Sequence, residues 1–313
     1  MKVKISAVSA QILLAVVIVA CGTAAPQEIA VENSFASCRQ IVFSYGVHGR
    51  NHFEDNIVST CPDGTNKVRL TVDGEGNLAP AWSPDGSEIA FISDRSGSQQ
   101  LYVMDADDRN INQVTSGLAI SSPIVWLLSG QHIALHVLQE GGSLDWVVVN
   151  TATKEVSPLN WQLSSPISVA NPDHGANRVA YVQRIQPANP NGPSQIRIVN
   201  TDGSNDYALT DEIWNNYNPV WSADDSQLAF LTNRDGVEGK FAIYSVDVDG
   251  SNLRALTEPI FGEGAFFSWS PDGRSVVVFS DDAIYVMDLD SGEMTKLFTV
   301  DYPNYVSNFS WRP

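Results

Sequence analysis

The stretch PAWSPDGSEIAFIS (residues 80–93) recurs as PVWSADDSQLAFLT (residues 219–232) and FSWSPDGRSVVVFS (residues 267–280). Each copy places a tryptophan at the end of a short apolar strand, continues through a Pro-Asp-Gly-like turn and enters a second apolar strand. Weaker copies begin at Pro123 and Pro166. Because proline fixes φ and glycine accepts a positive φ, these turns predict pairs of adjacent antiparallel strands.

A second phrase follows the copies, as in QIRIVNTDGSNDYALT (residues 195–210) and AIYSVDVDGSNLRALT (residues 242–257). It contains an alternating strand, an Asp/Gly-rich turn and a strand that ends in Leu-Thr. Period-two alternation bounded by turn residues is typical of half-buried strands. Four such strands make one blade of a β-propeller.

The anchor residues of the repeat recur at blade-sized steps of 44, 43, 52, 48 and 42 residues. In chain order they are Trp82, Trp126, Val169, Trp221, Trp269 and Trp311. The region before Trp82 contains only the later strands of a blade, and NFSWRP (residues 308–313) supplies the missing first strand. The sequence therefore predicts an all-β, six-bladed β-propeller over residues 38–313, a single domain whose C-terminal strand closes the first blade.

The phrase WSPDG…IAF…SDR…LYVMD (residues 82–105) resembles the propeller repeat of TolB and of the propeller domains of prolyl oligopeptidases. The resemblance extends over nearly all of residues 38–313 and implies a TolB-like propeller. TolB carries an α/β domain ahead of its propeller, whereas only residues 21–37 precede the repeat after the leader. We therefore expect a TolB-like propeller without that N-terminal domain, and TolB's partners are not assumed.

Residues 1–20 resemble a signal peptide, with Lys2 and Lys4 ahead of a short apolar run. The run ends at Cys21 and resembles a bacterial lipobox, which implies lipidation of Cys21 and a linker over residues 21–37. We expect an exported protein that is lipid-anchored to the bacterial cell envelope, on its periplasmic or extracellular face. Its contact with the membrane would be through the anchor alone.

The formal net charge of −18 comes from 36 acidic residues against 18 Lys and Arg. Such an excess repels phosphate backbones, so we expect no nucleic-acid partner. The negative charge favours solubility, or else it attracts a basic partner or cations.

We also expect the protein to be a monomer.

Cys38 and Cys61 are predicted to form a disulfide, since an even number of further cysteines in an exported chain indicates pairing. Cys38 opens the second strand of the first blade and Cys61 ends the third. The hairpin between them is centred near residue 50, so antiparallel pairing brings the two side chains together across the strands.

The sequence does not match the familiar catalytic and metal-binding motifs. The sequence has no G-x-S-x-G, which excludes the serine hydrolase chemistry of the oligopeptidases. The turn at Asp247 lacks the spacing of a calcium loop. His132 and His136 lie too far apart along one strand to share an ion. His48 and His52 are the remaining metal candidate, and we interpret them as part of a polar loop. We predict no metal and no cofactor.

Loops alternate between the two faces of a propeller, and the longer ones in this chain carry aromatic side chains. Such loops on a rigid scaffold are the usual place for function. The predicted partner-binding residues are His48, His52, Phe53, Trp214, Tyr217, Phe261, Phe266, Tyr302 and Tyr305. Arg95 and Arg234 occupy matching places in two repeats and are interpreted as structural.

We expect a non-enzymatic binding or scaffold protein for a protein or a cell-envelope polymer. One alternative is a carbohydrate hydrolase or lyase that uses Glu212, Glu258 and Glu263 at the channel mouth, which would need paired acids. A second alternative is a sensor of small ligands for an envelope system.

Overall fold

The computed structural model describes residue 38 and residues 40–48, 53–72, 76–106, 110–139, 144–159, 170–186, 192–262, 264–301 and 304–313. These residues form six four-stranded antiparallel sheets arranged as the blades of a propeller. The predicted six-bladed, all-β fold is therefore confirmed. No helix in the described part of the chain is long and apolar enough to cross a membrane.

Each blade is a sheet of four strands, numbered along the chain. Blade 1 contains β1 (Ile41–His48), β2 (Phe53–Thr60), β3 (Val68–Arg69) and the last strand, β24 (Asn304–Trp311). Blade 2 contains β4 (Asn77–Trp82), β5 (Glu88–Ser93), β6 (Gln100–Asp105) and β7 (Ile111–Gln113). Blade 3 contains β8 (Ile120–Trp126), β9 (His132–Leu138), β10 (Leu144–Asn150) and β11 (Val156–Pro158).

The remaining three blades follow the same order. Blade 4 contains β12 (Ala170–Pro172), β13 (Arg178–Arg184), β14 (Ser194–Asn200) and β15 (Tyr207–Ala208). Blade 5 contains β16 (Asn216–Trp221), β17 (Gln227–Thr232), β18 (Ala242–Asp247) and β19 (Arg254–Ala255). Blade 6 contains β20 (Phe266–Trp269), β21 (Ser275–Ser280), β22 (Ala283–Asp288) and β23 (Met294–Thr299).

The C-terminal strand closes the ring, as predicted. Strand β24 pairs with β1 from Ile41↔Trp311 to Val47↔Asn304. Its other neighbours are the innermost strands of blades 2 and 6, so the six innermost strands surround a central channel. Closure gives every blade a neighbouring blade on each side, so the ring has no open end.

The second strand of a blade is buried on both faces rather than half-buried. In β5 and β17 every residue after the first is buried. The simple alternation expected from the sequence holds for the inner strand β20, but not for these second strands. The reason is that each blade packs against a neighbour on both sides, so both faces of its second strand face apolar side chains.

Tryptophans at the ends of the inner strands join neighbouring blades. The indole N–H of Trp126 donates to the carbonyl oxygen of Ala81 at 2.9 Å, and Trp311 donates to Ser268 at 3.3 Å. In each case the acceptor is the residue just before the tryptophan of the neighbouring blade, Trp82 or Trp269. These two tryptophans therefore hold their blades to the preceding ones.

The predicted disulfide between Cys38 and Cys61 is confirmed, with a Cα–Cα distance of 5.8 Å. Its cysteines lie just outside the paired ends of β1 and β2, beyond Ile41↔Thr60. The disulfide therefore ties the chain that enters blade 1 to the turn that leaves β2.

Candidate binding face

The connections segregate to two faces of the ring. Turns from first to second strands contact turns from third to fourth strands, as where Ala106 N–H donates to Ser87 O at 2.8 Å and Val248 N–H donates to Ser226 O at 3.1 Å. We name this side the turn face. The opposite side, the loop face, carries the loops between second and third strands and between blades.

The turn face uses its polar groups to build its own turns. The hydroxyl of Ser83 donates to Asp85 at 2.7 Å, and Ser222 donates to Asp224 at 2.7 Å. These hydroxyls are the first cause of the lowered pKa of Asp85 and Asp224, ahead of bonds from the next serines in the turns. The repeated Ser-Pro-Asp-Gly phrase therefore serves the architecture, as the turn interpretation predicts.

The central channel contains a cavity of about 440 Å³. Its wall is mainly apolar and is formed by the innermost strands, with Pro80, Pro123 and Pro219 at matching positions in three blades. These strands bulge ahead of the prolines, where Ala79 and Asn218 adopt positive φ values of 51° and 53°. Apolar walls with a few polar groups are typical of small-molecule sites.

His174 lies in the wall of this channel and is paired with Asp225. His174 Nδ1 is 2.6 Å from Asp225 Oδ1, and the backbone N–H of His174 donates to the same oxygen at 3.1 Å. His174 replaces the proline of the turn motif in blade 4, whereas Asp225 replaces its glycine in blade 5, with a φ of 58°. The two residues that depart from the turn motif, His174 in blade 4 and Asp225 in blade 5, thus contact each other across neighbouring blades.

Three loops on the loop face converge over blade 5. Their described residues are 211–215, 233–241, and 258–262 with 264–265. The backbone N–H groups of Phe241 and Phe261 donate to each other's carbonyl oxygens at 2.9 and 3.1 Å. Asn215 N–H donates to Asn233 Oδ1 at 2.9 Å, so the first loop is fixed to the second.

A salt bridge and a tyrosine strengthen this connection. Arg234 Nη2 lies 3.1 Å from Asp211 Oδ2, and its guanidinium lies over the ring of Tyr244 at 5.2 Å. The Tyr244 hydroxyl donates to Asp235 at 2.7 Å. Burial raises the pKa of Tyr244, and the bond to Asp235 and the charge of Glu258 raise it further. The contacts of Arg234 with Asp211 and Tyr244 are therefore consistent with the structural role expected for this residue.

Two of the predicted aromatic residues are accessible on or near this face. Trp214 is half-buried in the first loop, where its carbonyl oxygen accepts a bond from Ser194 N–H at 3.0 Å. Phe266 is half-buried in the channel wall and stacks on Phe309, with ring centroids 5.1 Å apart. Trp214 is the candidate best placed for a partner, since it lies outside the channel.

Two others belong to the packing between blades 5 and 6. Phe261 is 2% exposed and lies in the core cluster of these blades, so the structure corrects its prediction as a surface residue. The ring of Tyr217 packs edge-on against Phe241, with centroids 5.0 Å apart. Both side chains were predicted from their place in long loops, but Tyr217 lies in strand β16 and the side chain of Phe261 faces the core.

Tyr305 is half-buried between blades 1 and 2. Its hydroxyl donates to the buried carboxylate of Asp55. Burial raises the pKa of Tyr305, and the bond to Asp55 and the charge of Asp55 raise it further. This hydroxyl is therefore committed to an internal partner.

The other predicted residues lie at strand ends or outside the described part of the chain. His48 ends β1 and Phe53 begins β2. Cys21, His52 and Tyr302 lie outside the described residues. Their assignments stay predictions.

The two described acids of the enzyme alternative do not line the channel cavity. Glu212 and Glu258 are exposed on the loop face, in the first and third loops over blade 5, and Glu263 lies outside the described residues. Within the described chain, no three His, Cys, Asp or Glu side chains are placed to hold a metal ion.

Three exposed aliphatic residues were not predicted from the sequence, where only aromatic loop residues were selected as partner-binding candidates. Ile213, Val237 and Ile260 are 67%, 45% and 39% exposed, one in each loop over blade 5. The signal that could have found them is an isolated aliphatic residue in an otherwise polar loop. His174 and Asp225 were not predicted either. The sequence feature that could have indicated them is that each departs from the turn motif of its repeat.

The chain matches the family model of the tricorn protease N-terminal beta propeller domain over residues 39–293. It is 25% identical over 254 residues to the Tricorn protease homolog 1 of Streptomyces coelicolor, which covers 78% of this chain and 23% of that protein. It is 28% identical over 81 residues to the Tol-Pal system protein TolB of Blochmanniella pennsylvanica, which covers 26% of this chain and 18% of that protein. The chain thus spans about a fifth of the length of these curated relatives.

The crystal structure of TolB from Acinetobacter baumannii has a similar fold, with a TM-score of 0.69 at 17% sequence identity. The match covers 88% of this chain and 67% of that chain. The prediction of a TolB-like six-bladed propeller is therefore confirmed at the level of fold.

Proposed function

Since the chain belongs to the family of the tricorn protease N-terminal beta propeller domain, we propose that it is a non-enzymatic binding propeller of the bacterial cell envelope. It holds a protein or an envelope polymer through its loop face. The observation that carries this proposal is the surface over blade 5, where three loops joined by hydrogen bonds carry the half-buried Trp214 and exposed aliphatic side chains. Loops that are ordered before binding lose less conformational entropy when a partner arrives.

The envelope location is part of the proposal. The similarity to a Tol-Pal system protein supports it, as does the predicted lipidation of Cys21. The Cys21→Ser variant of the full chain should move from the membrane fraction to the soluble fraction. Retention of that variant on membranes would contradict the lipid anchor without bearing on the binding face.

The binding face is tested by capture from native envelopes with the chain from residue 22 onward. Partner recovery should fall by at least about tenfold on Trp214→Ala, since truncation of an aromatic anchor at an interface typically costs about 2 kcal/mol or more. Leu128→Ala is the control, because Leu128 is 61% exposed on the turn face. Equal loss in both variants, or in neither, would assign the partner elsewhere.

A second candidate function rests on the channel. Its cavity of about 440 Å³ is large enough for a small molecule, and the His174–Asp225 pair supplies a polar group in an apolar wall. A metabolite that raises the melting temperature of the wild type, but not of His174→Leu, would support a sensor of small ligands. A shift that is the same in both proteins would place the ligand outside this channel.

A further inference from the structure

The loops over blade 5 combine exposed aliphatic side chains with an excess of carboxylates. The aliphatic residues are Ile213, Val237 and Ile260. The exposed acids of the same loops are Asp211, Glu212, Asp235, Glu238 and Glu258. We name these eight residues together the blade 5 patch. Because the two kinds of side chain are interspersed, the patch offers apolar contact and negative charge to the same partner.

The positive charges nearby are already engaged. Arg234 is bonded to Asp211 and lies over Tyr244. Lys240 Nζ is 3.9 Å from Asp281 Oδ2, which belongs to blade 6. Among the described residues of the three loops, these two are the only Lys or Arg side chains. The charge of the patch is therefore negative, and an exposed patch of one sign attracts a partner of the other.

Blade 2 shows that the fold does not require this composition. It has the same frame, in which Arg95 lies over the rings of Phe91 and Tyr102 at 5.3 and 5.0 Å. The residues that follow Arg95 are Ser-Gly-Ser-Gln (96–99), whereas those after Arg234 are Asp-Gly-Val-Glu (235–238). Two acids and a valine in blade 5 thus stand where blade 2 has neutral polar residues.

We propose that the blade 5 patch binds a basic, amphipathic segment of a protein partner, in which Lys or Arg residues are interspersed with aliphatic ones. The segment's aliphatic side chains, and the methylene stems of its lysines, cover Ile213, Val237 and Ile260. Its charged ends reach the surrounding carboxylates. This inference rests on the proposed function and specifies its partner, because an anionic envelope polymer would be repelled by the same charges.

The test uses the chain from residue 22 onward and fluorescence anisotropy with three short labelled peptides. One alternates Leu and Lys, the second alternates Ser and Lys, and the third alternates Leu and Glu. We expect the Leu–Lys peptide to bind at least about tenfold more tightly than either of the others, a difference of about 1.4 kcal/mol. Equal binding of the Leu–Lys and Leu–Glu peptides would overturn the inference.

Matched variants locate the binding. Ile213→Ser/Val237→Ser/Ile260→Ser should weaken the Leu–Lys peptide by about tenfold or more. Glu212→Gln/Glu238→Gln/Glu258→Gln should weaken it and flatten its dependence on salt, because screening acts on exposed charges. Val72→Ser and Leu128→Ser are the controls, since these residues are 62% and 61% exposed outside the patch. An equal effect of patch and control variants would overturn the inference.

Failure of this inference is distinguishable from failure of the proposed function. If envelope capture is lost in Trp214→Ala but the Leu–Lys peptide neither binds nor competes, the loop face is a binding face and its partner is not basic. If the peptide binds through the patch while capture is insensitive to Trp214→Ala and to the patch variants, the chemistry of the patch holds and the proposed capture route fails.

Discussion

Gly46 lies at a point of close approach within blade 1. On β1 it is paired with Asp55 on one side and Tyr305 on the other. A Cβ atom at position 46 would collide with the Asp55 carboxylate and would lie 2.6 Å from the Tyr305 ring. The absence of a side chain at this residue therefore allows the Tyr305 hydroxyl to reach the buried carboxylate.

Gly46→Ala should lower the free energy of unfolding by about 1–3 kcal/mol, the usual effect of forcing atoms into a packed site. Urea denaturation measures it. Gly262→Ala is the control, because the nearest atom there is the side-chain oxygen of the exposed Asp281, which can move away. Equal stability of the two variants would show that the Asp55–Tyr305 contact tolerates displacement.

Lys67 is a partly buried lysine with aromatic neighbours. Its ammonium lies 3.6 Å from the ring centroid of Phe298 and 5.3 Å from that of Tyr45. Ring faces favour the charged form, but burial dominates and lowers the pKa of Lys67 from 10.5 to about 8. Between these two values the unfolded chain retains a proton that the folded chain has lost. The free energy of unfolding contributed by Lys67 therefore rises with pH over this range.

Comparison of wild type with Lys67→Met isolates this effect, since the other titrating groups are common to both proteins. The free energy of unfolding of the wild type, relative to the variant, should increase from about pH 7 to about pH 10. Chemical denaturation across that range measures it. A difference that stays constant with pH would mean that Lys67 keeps an ordinary pKa in the folded protein.

At the scale of the element, the recurring Leu-Thr phrase has a definite structural role. The threonine hydroxyls accept a hydrogen bond from a backbone N–H in the third strand of their blade, each at 2.9 Å. The pairs are Ile57 with Thr71, Leu101 with Thr115, Ile196 with Thr210, and Ile243 with Thr257. These threonines are buried, so the bond satisfies a donor that water cannot reach.

Thr257→Val preserves the side-chain shape but removes the acceptor for Ile243 N–H. It should lower the free energy of unfolding by about 1–3 kcal/mol, the cost of leaving a buried donor unpaired. Thr295→Val is the control, since Thr295 is exposed on β23, and its effect should stay within about 0.5 kcal/mol. Thermal or urea unfolding of both variants measures the two effects, and equal losses would show that the Thr257 hydroxyl has no special role.

At the scale of the molecule, the ring is held closed by contacts of the chain's last residues with blades 1 and 2. Arg312 N–H donates to Gln40 O at 2.7 Å, and Arg312 Nε donates to Gly86 O at 3.1 Å. Ser310 Oγ accepts a bond from Trp82 N–H at 2.9 Å. The Cys38–Cys61 disulfide strengthens the blade in which both ends of the propeller meet.

Cys38→Ser/Cys61→Ser should lower the free energy of unfolding by about 2–4 kcal/mol, because the unfolded chain regains the freedom of a closed loop. Urea unfolding without reductant measures the loss. With reductant present, wild type and variant should coincide. An undiminished stability of the variant would show that pairing of β24 with β1 suffices to hold the ring.

The sequence by itself determined the number of blades, the closing strand and the disulfide. Each depends on a local pattern, such as the spacing of Trp82 and Trp126 or the hairpin between Cys38 and Cys61, that repeats or pairs along the chain. Turn chemistry and strand alternation act over a few residues, so their effects can be predicted from neighbouring residues in the sequence.

The tertiary structure alone decided which loop residues are available to a partner. Phe261 and Ile260 are neighbours in one loop, yet Phe261 is 2% exposed and Ile260 is 39% exposed. His174 and Asp225 are 51 residues apart and meet because two blades are adjacent. Burial and pairing of this kind are set by the neighbouring blade, which residue spacing along one blade does not specify.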